Sequence, residues 1–389
     1  MHTFTSLSVL AAAAVVAAAP APAASPKVIS VPLTLIKNVE STSGLLAAGE
    51  RRLAKFNNRV GSLKPRQSSG AVTNEDVSYV AEVNIGGTGY TLIVDTGSSN
   101  TWCGAQNACE PSSSGQSTGN SVSVDYGSGS FSGTEYTDNV SFGGETVDGQ
   151  SIGSASTSSG FSGVDGIIGF GPVDLTEGTV SNTNEVPTFM NNLYSQGSIP
   201  TEVLGVSFRP EPGSSTDSTN GELTLGGTDP SKYSGSISYH PKLTSGEASA
   251  YWGIAVNKFS YGGSSLGSGN GIVDTGTTLI YLPTSVYNAF LKASGGTTGS
   301  QSGLPTYSKA PTQNFYFTFG STTLSLTPSQ YLVPQDQYSE FGLASGKYYA
   351  WFANGGSSGV NLIIGQKFLE NYYAVFDTTN QRIGFATGV

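Results

Sequence analysis

Two aspartates stand in matched surroundings. Ile93-Val94-Asp95-Thr96-Gly97-Ser98-Ser99 recurs 179 residues later as Ile272-Val273-Asp274-Thr275-Gly276-Thr277-Thr278. A second pair follows in the same order, Asp165-Gly166-Ile167-Ile168-Gly169-Phe170 and Asn361-Leu362-Ile363-Ile364-Gly365-Gln366. Each half reads as an apolar strand, an Asp-Thr-Gly turn, further strands and an apolar pair ending in glycine, the mark of an internal duplication. A single Asp-Thr-Gly is a common surface turn. Two copies, each behind Ile-Val and each followed by a hydroxyl residue, point to chemistry. If a pseudo-two-fold axis sets the turns face to face, the carboxylates cannot both ionise. They share a proton and their apparent pKa values split. One is then a base and the other an acid, and together they activate a water without metal, imidazole or thiol. Ser98 and Thr277 are spaced to donate to the carboxylates, Thr96 and Thr275 to reach the opposite loop. Gly97 and Gly276 leave room for a close approach of backbone.

The composition narrows the alternatives. Of two histidines, His2 falls in an apolar leader, so a Ser-His-Asp or Cys-His site would rest on His240 alone, and no multi-histidine metal site is possible. No cofactor is expected. The 389 residues include 52 glycines, with 11% charged and 10% aromatic residues, which suits a β-rich body with many turns rather than coiled coils or helical repeats. Residues 1–70 carry eight basic and two acidic side chains, +6; the whole chain is −10, leaving −16 on residues 71–389. An acidic body repels nucleic acid and anionic lipid, so neither is an expected partner, and it attracts its own basic head.

The elements that must position the aspartates follow from local patterns. Residues 1–24 read as a secretory signal: the apolar run Leu7 to Ala19 is too short to span a membrane and ends in Pro20 and small residues. Residues 25–70 read as a propeptide, with a strand at Val31 to Ile36, a basic amphipathic helix at Leu45 to Val60 and a linker at Lys64 to Gly70. The body divides into lobes at 71–243 and 244–389. It is mostly short strands, with helices expected at Val186 to Gln196, at Ser285 to Lys292 and after Gly365. Cys103 and Cys109 enclose five residues and are expected to form a local disulfide. Asn139-Val140-Ser141 is a glycosylation sequon.

These motifs, with Asn100-Thr101-Trp102 after the first turn, Tyr126-Gly127-Ser128-Gly129, Tyr251-Trp252 and the stretch from Ile363-Ile364-Gly365-Gln366-Lys367-Phe368-Leu369 to Tyr372-Tyr373-Ala374-Val375-Phe376-Asp377, resemble the pepsin-like aspartic proteases, above all fungal secreted enzymes of the polyporopepsin type. The resemblance runs from about Asp76 to the C-terminus. It implies an all-β bilobal fold with pseudo-two-fold symmetry and the active cleft between the lobes. It implies an acid endopeptidase, made as a secreted zymogen, that cuts polypeptides between bulky apolar residues. Asp95 and Asp274 then hold the nucleophilic water. Tyr126, Gly127 and Ser128 belong to a flap, with Trp102 hydrogen-bonded to Tyr126. Ile93, Val164, Ile167 and Ser128 line the pocket before the scissile bond, and Ile272, Thr278 and Ile363 belong to the substrate-binding set beyond it. Lysine-accepting fungal relatives carry Asp at the Ser128 position, so cleavage after Lys is expected to be poor. Pepstatin-type inhibition, a monomer and extracellular export, with a vacuole as the other destination, complete the expectation.

The chain departs from the family pattern in lacking its later disulfides and in Gln366, which stands where many members have Asp. Lys37, Lys55 and Lys64 are the candidates for a propeptide lysine over the dyad. Against this stand a two-carboxylate glycosidase, a lectin-like β-sandwich and a catalytically dead pepsin-like binding protein. None of the three accounts for two intact Asp-Thr-Gly turns with a flap signature.

Overall fold

The computed structural model describes residues 27–39, 41–58, 77–210 and 218–389. The signal-peptide reading at 1–24, the linker Lys64 to Gly70 and the last two residues of the expected helix, Arg59 and Val60, lie outside the described residues. Among the described residues the strands form sheets of thirteen, seven and three.

The duplication is visible as a repeated strand order. Thr88–Asp95 pairs in parallel with Gly166–Gly169, Ile93 opposite Ile167, and Gly166–Gly169 pairs antiparallel with Thr101–Cys103. In the other half Ser264–Val273 pairs in parallel with Ile363–Ile364, Ile272 opposite Ile363, and that pair lies antiparallel to Ile280–Leu282. Each aspartate therefore sits at the end of an apolar strand beside the second short strand of its half, and the strand that leaves its own turn lies on the far side of that one. The continuous apolar runs follow from burial of these strands on both faces. The thirteen-stranded sheet also takes in the C-terminal strands Tyr372–Asp377 and Arg382–Gly388, which pair with Val203–Ser207 and Tyr233–Pro241. The fold is the all-β, bilobal pepsin-like architecture expected from the motifs.

The head of the chain is part of this sheet. Strand Ile29–Lys37 lies between Ser218–Leu225 and Val77–Ile85, with Ile29 opposite Leu225 and Lys37 opposite Val77. Its alternation explains the placement: Ile29, Val31, Leu33 and Leu35 are all buried. Helix Thr42–Asn58 follows, starting three residues earlier than expected.

The other helices are shorter or slightly shifted. Phe189–Ser195 begins only after Thr188, whose hydroxyl accepts from Asn191 N–H while the Asn191 side chain accepts from Thr188 N–H, a reciprocal cap that fixes the start. Thr284–Ser294 ends at Gly295 in the left-handed region, φ 74°. Gln366–Leu369 follows Gly365. Pro328–Tyr331, opened by the Thr327 and Gln330 side chains, has too few residues to show a period.

One buried acid stands out in the sheet. Glu135, on Ser130–Phe142, is 2% exposed; one oxygen accepts from the Ser151 hydroxyl and the other has no partner among the described residues. Burial pushes its carboxyl up to about 7. A raised folded-state pKa for an acid means that the folded state prefers the proton. Stability then falls as pH rises from the ordinary glutamate range through about 7, by on the order of 3 kcal/mol. Denaturant titrations at about pH 5 and about pH 8, on a chain inactivated by Asp274→Asn, should show a smaller pH loss in Glu135→Gln. Equal losses with and without Glu135 contradict this.

Candidate active site

The two turns meet face to face. Thr96 N–H donates to Thr275 Oγ1 at 2.9 Å and Thr275 N–H to Thr96 Oγ1 at 3.0 Å. Each hydroxyl then donates across to the other half, Thr96 to the Val273 carbonyl at 3.3 Å and Thr275 to the Val94 carbonyl at 3.0 Å. Four bonds thus lock the two aspartate-bearing strands together, all in a buried site where polar groups must be paired. The carboxylates are held alike. Ser98 Oγ donates to Asp95 Oδ2 and Thr277 Oγ1 to Asp274 Oδ2, both at 2.5 Å, and Gly97 N–H and Gly276 N–H donate to the Oδ1 atoms at 2.9 and 3.0 Å. A methyl group on Gly97 would come within 2.6 Å of Asp274 Oδ1, and one on Gly276 within 2.5 Å of Asp95 Oδ1. Only glycine allows this approach.

A guanidinium fills the space between them. Arg52, 5% exposed on helix Thr42–Asn58, donates from Nη2 to Asp95 Oδ1 at 2.5 Å and to Asp274 Oδ1 at 2.9 Å, and from Nε to Asp274 Oδ2 at 2.8 Å. The expectation of a propeptide lysine is thereby corrected. Lys37 pairs with Glu340 at 2.8 Å, and the Lys55 ammonium lies 4.5 Å over the Tyr126 ring. The physical reason is the fork: one planar group reaches both carboxylates, which a point ammonium does less well. The signal was in the sequence. Leu45, Ala48, Arg52 and Phe56 form one helical stripe, all buried, and a charge in the centre of an apolar stripe needs a partner. Phe56 packs edge-on against Tyr251 at 4.8 Å, and Arg52 lies 5.3 Å over Phe56.

The electrostatics are unequal. Burial pushes Asp95 up, but Arg52, Ser98, Gly97 and Lys55 outweigh it, and its carboxyl lies below the ordinary value. Burial dominates at Asp274 and the neighbouring Asp95 adds to it, so Asp274 lies above the ordinary value despite Arg52. Burial opposes the charge on Arg52, yet Asp274 and Asp95 raise its pKa further. With two carboxylates to one cation, a proton on Asp274 balances the charge.

The flap residues gather over the first turn. Tyr126 is fully buried and clusters with Ile93, Trp102, Phe131, Phe161, Val164 and Ile167. The Trp102 and Tyr126 rings stack at 6.3 Å, with indole N–H and phenol outside hydrogen-bond geometry. Gly127 meets the Arg51 carbonyl, where a methyl group would come to 2.4 Å, and Ser128 is buried beside it. Ile272, Ile363 and Thr278 are buried against the second turn, the two isoleucines wholly within the main core. Cys103 and Cys109 form the expected disulfide, Cα–Cα 5.4 Å. Asn139 is half-buried on Ser130–Phe142, its Oδ1 accepting from Gly149 N–H at 3.4 Å. His240 packs against Phe319 at 5.2 Å, and its Nε2 lies 3.3 Å from the Ser238 hydroxyl.

Two further supports lie behind the turns, with roles that no local pattern gave them. Trp252 Nε1 donates to the Phe170 carbonyl at 3.0 Å, Phe170 N–H to the Asp95 carbonyl, and Val273 N–H to the Trp252 carbonyl, so one tryptophan backs both halves. Gln366, known at the sequence level only as a departure from the family, bonds the Thr275 carbonyl.

One Asp-Thr-Gly turn from each half of a bilobal β-body, their carboxylates side by side, defines a two-aspartate hydrolase of the pepsin-like class. Comparison with known proteins agrees. The profile described as eukaryotic aspartyl protease matches residues 78–388. Polyporopepsin of Irpex lacteus is 48% identical over 327 residues, covering 81% of this chain and 95% of that one. Rhizopuspepsin-1 of Rhizopus niveus is 33% identical, covering 96% of each. The crystal structure of the aspartic proteinase from Irpex lacteus superposes with a TM-score of 0.78 at 42% identity, covering 93% of this chain and 98% of the other. The chain belongs to the eukaryotic aspartyl protease family and is an aspartic-type endopeptidase.

Proposed function

We propose that the protein is an acid endopeptidase that hydrolyses peptide bonds between bulky apolar residues by a water held between Asp95 and Asp274, and that it is made as a secreted zymogen. The observation that carries the reading is the pair of mirrored carboxylates bridged by one guanidinium. A site that holds a fork-shaped cation between two acids also has the symmetry to hold a water. In the free enzyme one carboxylate takes the water's proton while the other, protonated, hydrogen-bonds the scissile carbonyl oxygen; no covalent intermediate forms. Ser98 and Thr277 steady the carboxylates, and the grip of Thr96 and Thr275 keeps their spacing. Tyr126, Gly127 and Ser128 close over an extended polypeptide and exclude water, with Trp102 behind the tyrosine. Ile93, Val164 and Ile167 on one side, and Ile272, Thr278 and Ile363 on the other, give the apolar preference. Pepstatin-type inhibitors are expected to compete for the same site.

Residues 25–70 serve as the inhibitory propeptide. Support comes from Arg52 at the dyad, Lys55 over Tyr126 and Phe56 against Tyr251, which together fill the cleft. The lobes run 71–243 and 244–389. No helix among the described residues is long and apolar enough to cross a membrane. The leader reading gives entry to the secretory route, with export as the proposed destination and a vacuole as the other.

Asp95→Asn and Asp274→Asn should each abolish hydrolysis of a denatured protein at acid pH while the fold is kept, and the parent's activity should be blocked by pepstatin and fade toward pH 7. Activity surviving in either variant, or an optimum near about pH 8, contradicts the dyad. In peptide mapping, cuts after Leu or Phe should outnumber those after Lys, because Ser128 offers a buried ammonium no charge; Ser128→Asp should raise the share after Lys.

Activation follows from the same charges. As pH falls, Asp274 takes its proton first, because its carboxyl is already raised, and one arm of the Arg52 bridge weakens. The Asp95 arm, whose carboxyl is depressed, holds at neutral pH and is lost only as pH falls through that lower value. The precursor from residue 25 should be stable at neutral pH and shorten itself in acid. Arg52→Met should move the midpoint of that conversion, read on gels across a pH series, upward by about one unit. An unmoved midpoint excludes Arg52 as the anchor.

A further inference from the structure

We propose that Gln366 is a positioning residue for Asp274, joining the aspartate's turn to the first strand of the body through an amide that no change of pH alters. The inference rests on Asp274 being one of the two reacting carboxylates.

Gln366 is 0% exposed at the start of the short helix Gln366–Leu369. Its Nε2 donates to two carbonyl oxygens, Thr275 at 2.8 Å and Val77 at 2.8 Å. Thr275 follows Asp274 directly and carries the cross-lobe bonds. Val77 opens the strand Val77–Ile85, which pairs with the propeptide strand through Lys37. The backbone of the helix adds to the hold, Gln366 N–H donating to the Thr277 carbonyl at 2.8 Å and Lys367 N–H to the Thr278 carbonyl at 3.1 Å. Thr278 and Val77 bond each other as well. Two carbonyl oxygens converging on one nitrogen require a group with two N–H bonds. This settles the orientation of the amide, since turning it over would set three oxygens together.

The choice of residue has a chemical consequence. A carboxylate at this point would face two carbonyl oxygens in a buried site, so it could stay only as the neutral acid, offering one donor where Gln366 offers two. Its proton would be one more group to titrate in the range where the dyad works. The charged groups on the elements around it are Asp274 on the turn and the Lys367–Glu370 pair on its own helix, 2.7 Å apart. Strand Val77–Ile85 adds only Glu82, which accepts from Thr91. In the precursor Arg52 bridges the Asp274 carboxylate. An amide keeps the turn fixed whether or not these groups are charged.

The test uses the processed enzyme and a chromogenic peptide with apolar residues at the cut. Gln366→Leu removes both donors and should lower kcat about tenfold with KM within about twofold, because the side chain does not touch substrate. Gln366→Glu keeps the shape and carries the test if the leucine variant fails to fold. Protonated at about pH 3 it still donates once, and its kcat should be near the parent's. Burial and the facing carbonyls set the point at which this acid ionises above the ordinary glutamate range, and the kcat ratio to the parent should fall about tenfold as pH rises past that point. A ratio that does not change with pH, or a change confined to KM, overturns the assignment. Asp274→Asn is run alongside: if it retains activity, the reading of the dyad fails instead.

Discussion

Two carboxylates in a dry site, close enough for one guanidinium to touch both, repel each other strongly. Their separation is nonetheless fixed by groups that cannot yield. The threonine bonds tie each turn to the backbone of the other half, and glycine on both sides lets the turns approach. Such a pair persists only if a positive charge or a proton is always present. Much else in the molecule serves this one need: apolar strands that end at each aspartate, hydroxyls and N–H groups that hold the oxygens, and a basic head aimed at the acids.

The head answers the need in two ways that respond differently to acid. Strand Ile29–Lys37 is held by backbone pairing on both edges and by four buried apolar side chains, none of which titrates. Helix Thr42–Asn58 is held at its centre by a charge bridge that fails when the acids are protonated. Acid therefore loosens the helix and leaves the strand. On the proposed zymogen reading, the cleft opens first and full departure of the head waits for a cut between the two kinds of attachment. Lys55 does not weaken in the same way, since a cation over the Tyr126 ring keeps its charge at low pH.

The aspartates, the hydroxyls beside them and the repeated apolar pairs were legible because each is a local pattern that occurs twice. Alternation announced the first strand, and an apolar stripe the long helix. Arg52 is one of eight basic residues in the first seventy and belongs to no motif; only its place in the apolar stripe marks it as buried and therefore partnered. The joining of C-terminal strands to the first sheet was not legible, since pairings such as Ala374 with Val206 depend on the whole fold and leave no local trace. Glu135 looked like any polar residue on a strand. Nothing local tells that its side faces inward without a cation.

The duplication supplies symmetry of backbone and withholds symmetry of charge. Behind Asp95 the carbonyl of Phe170 is held by Trp252; behind Asp274 the matching position is Gln366, which reaches the Thr275 carbonyl with its side chain. The carboxylates have the same donors, one hydroxyl and one N–H each, so these cannot decide which acid keeps the proton. The decision comes from outside the repeat. Against burial, Arg52 draws Asp95 below the ordinary value with Lys55 adding to it, while burial prevails at Asp274 despite Arg52. Both basic residues belong to the head, so their influence ends when it leaves. In the proposed free enzyme the division between acid and base is then set by the water and the substrate carbonyl. A site whose own donors are balanced can let the proton pass from one aspartate to the other during the reaction, and that is what acid–base catalysis by two like groups requires.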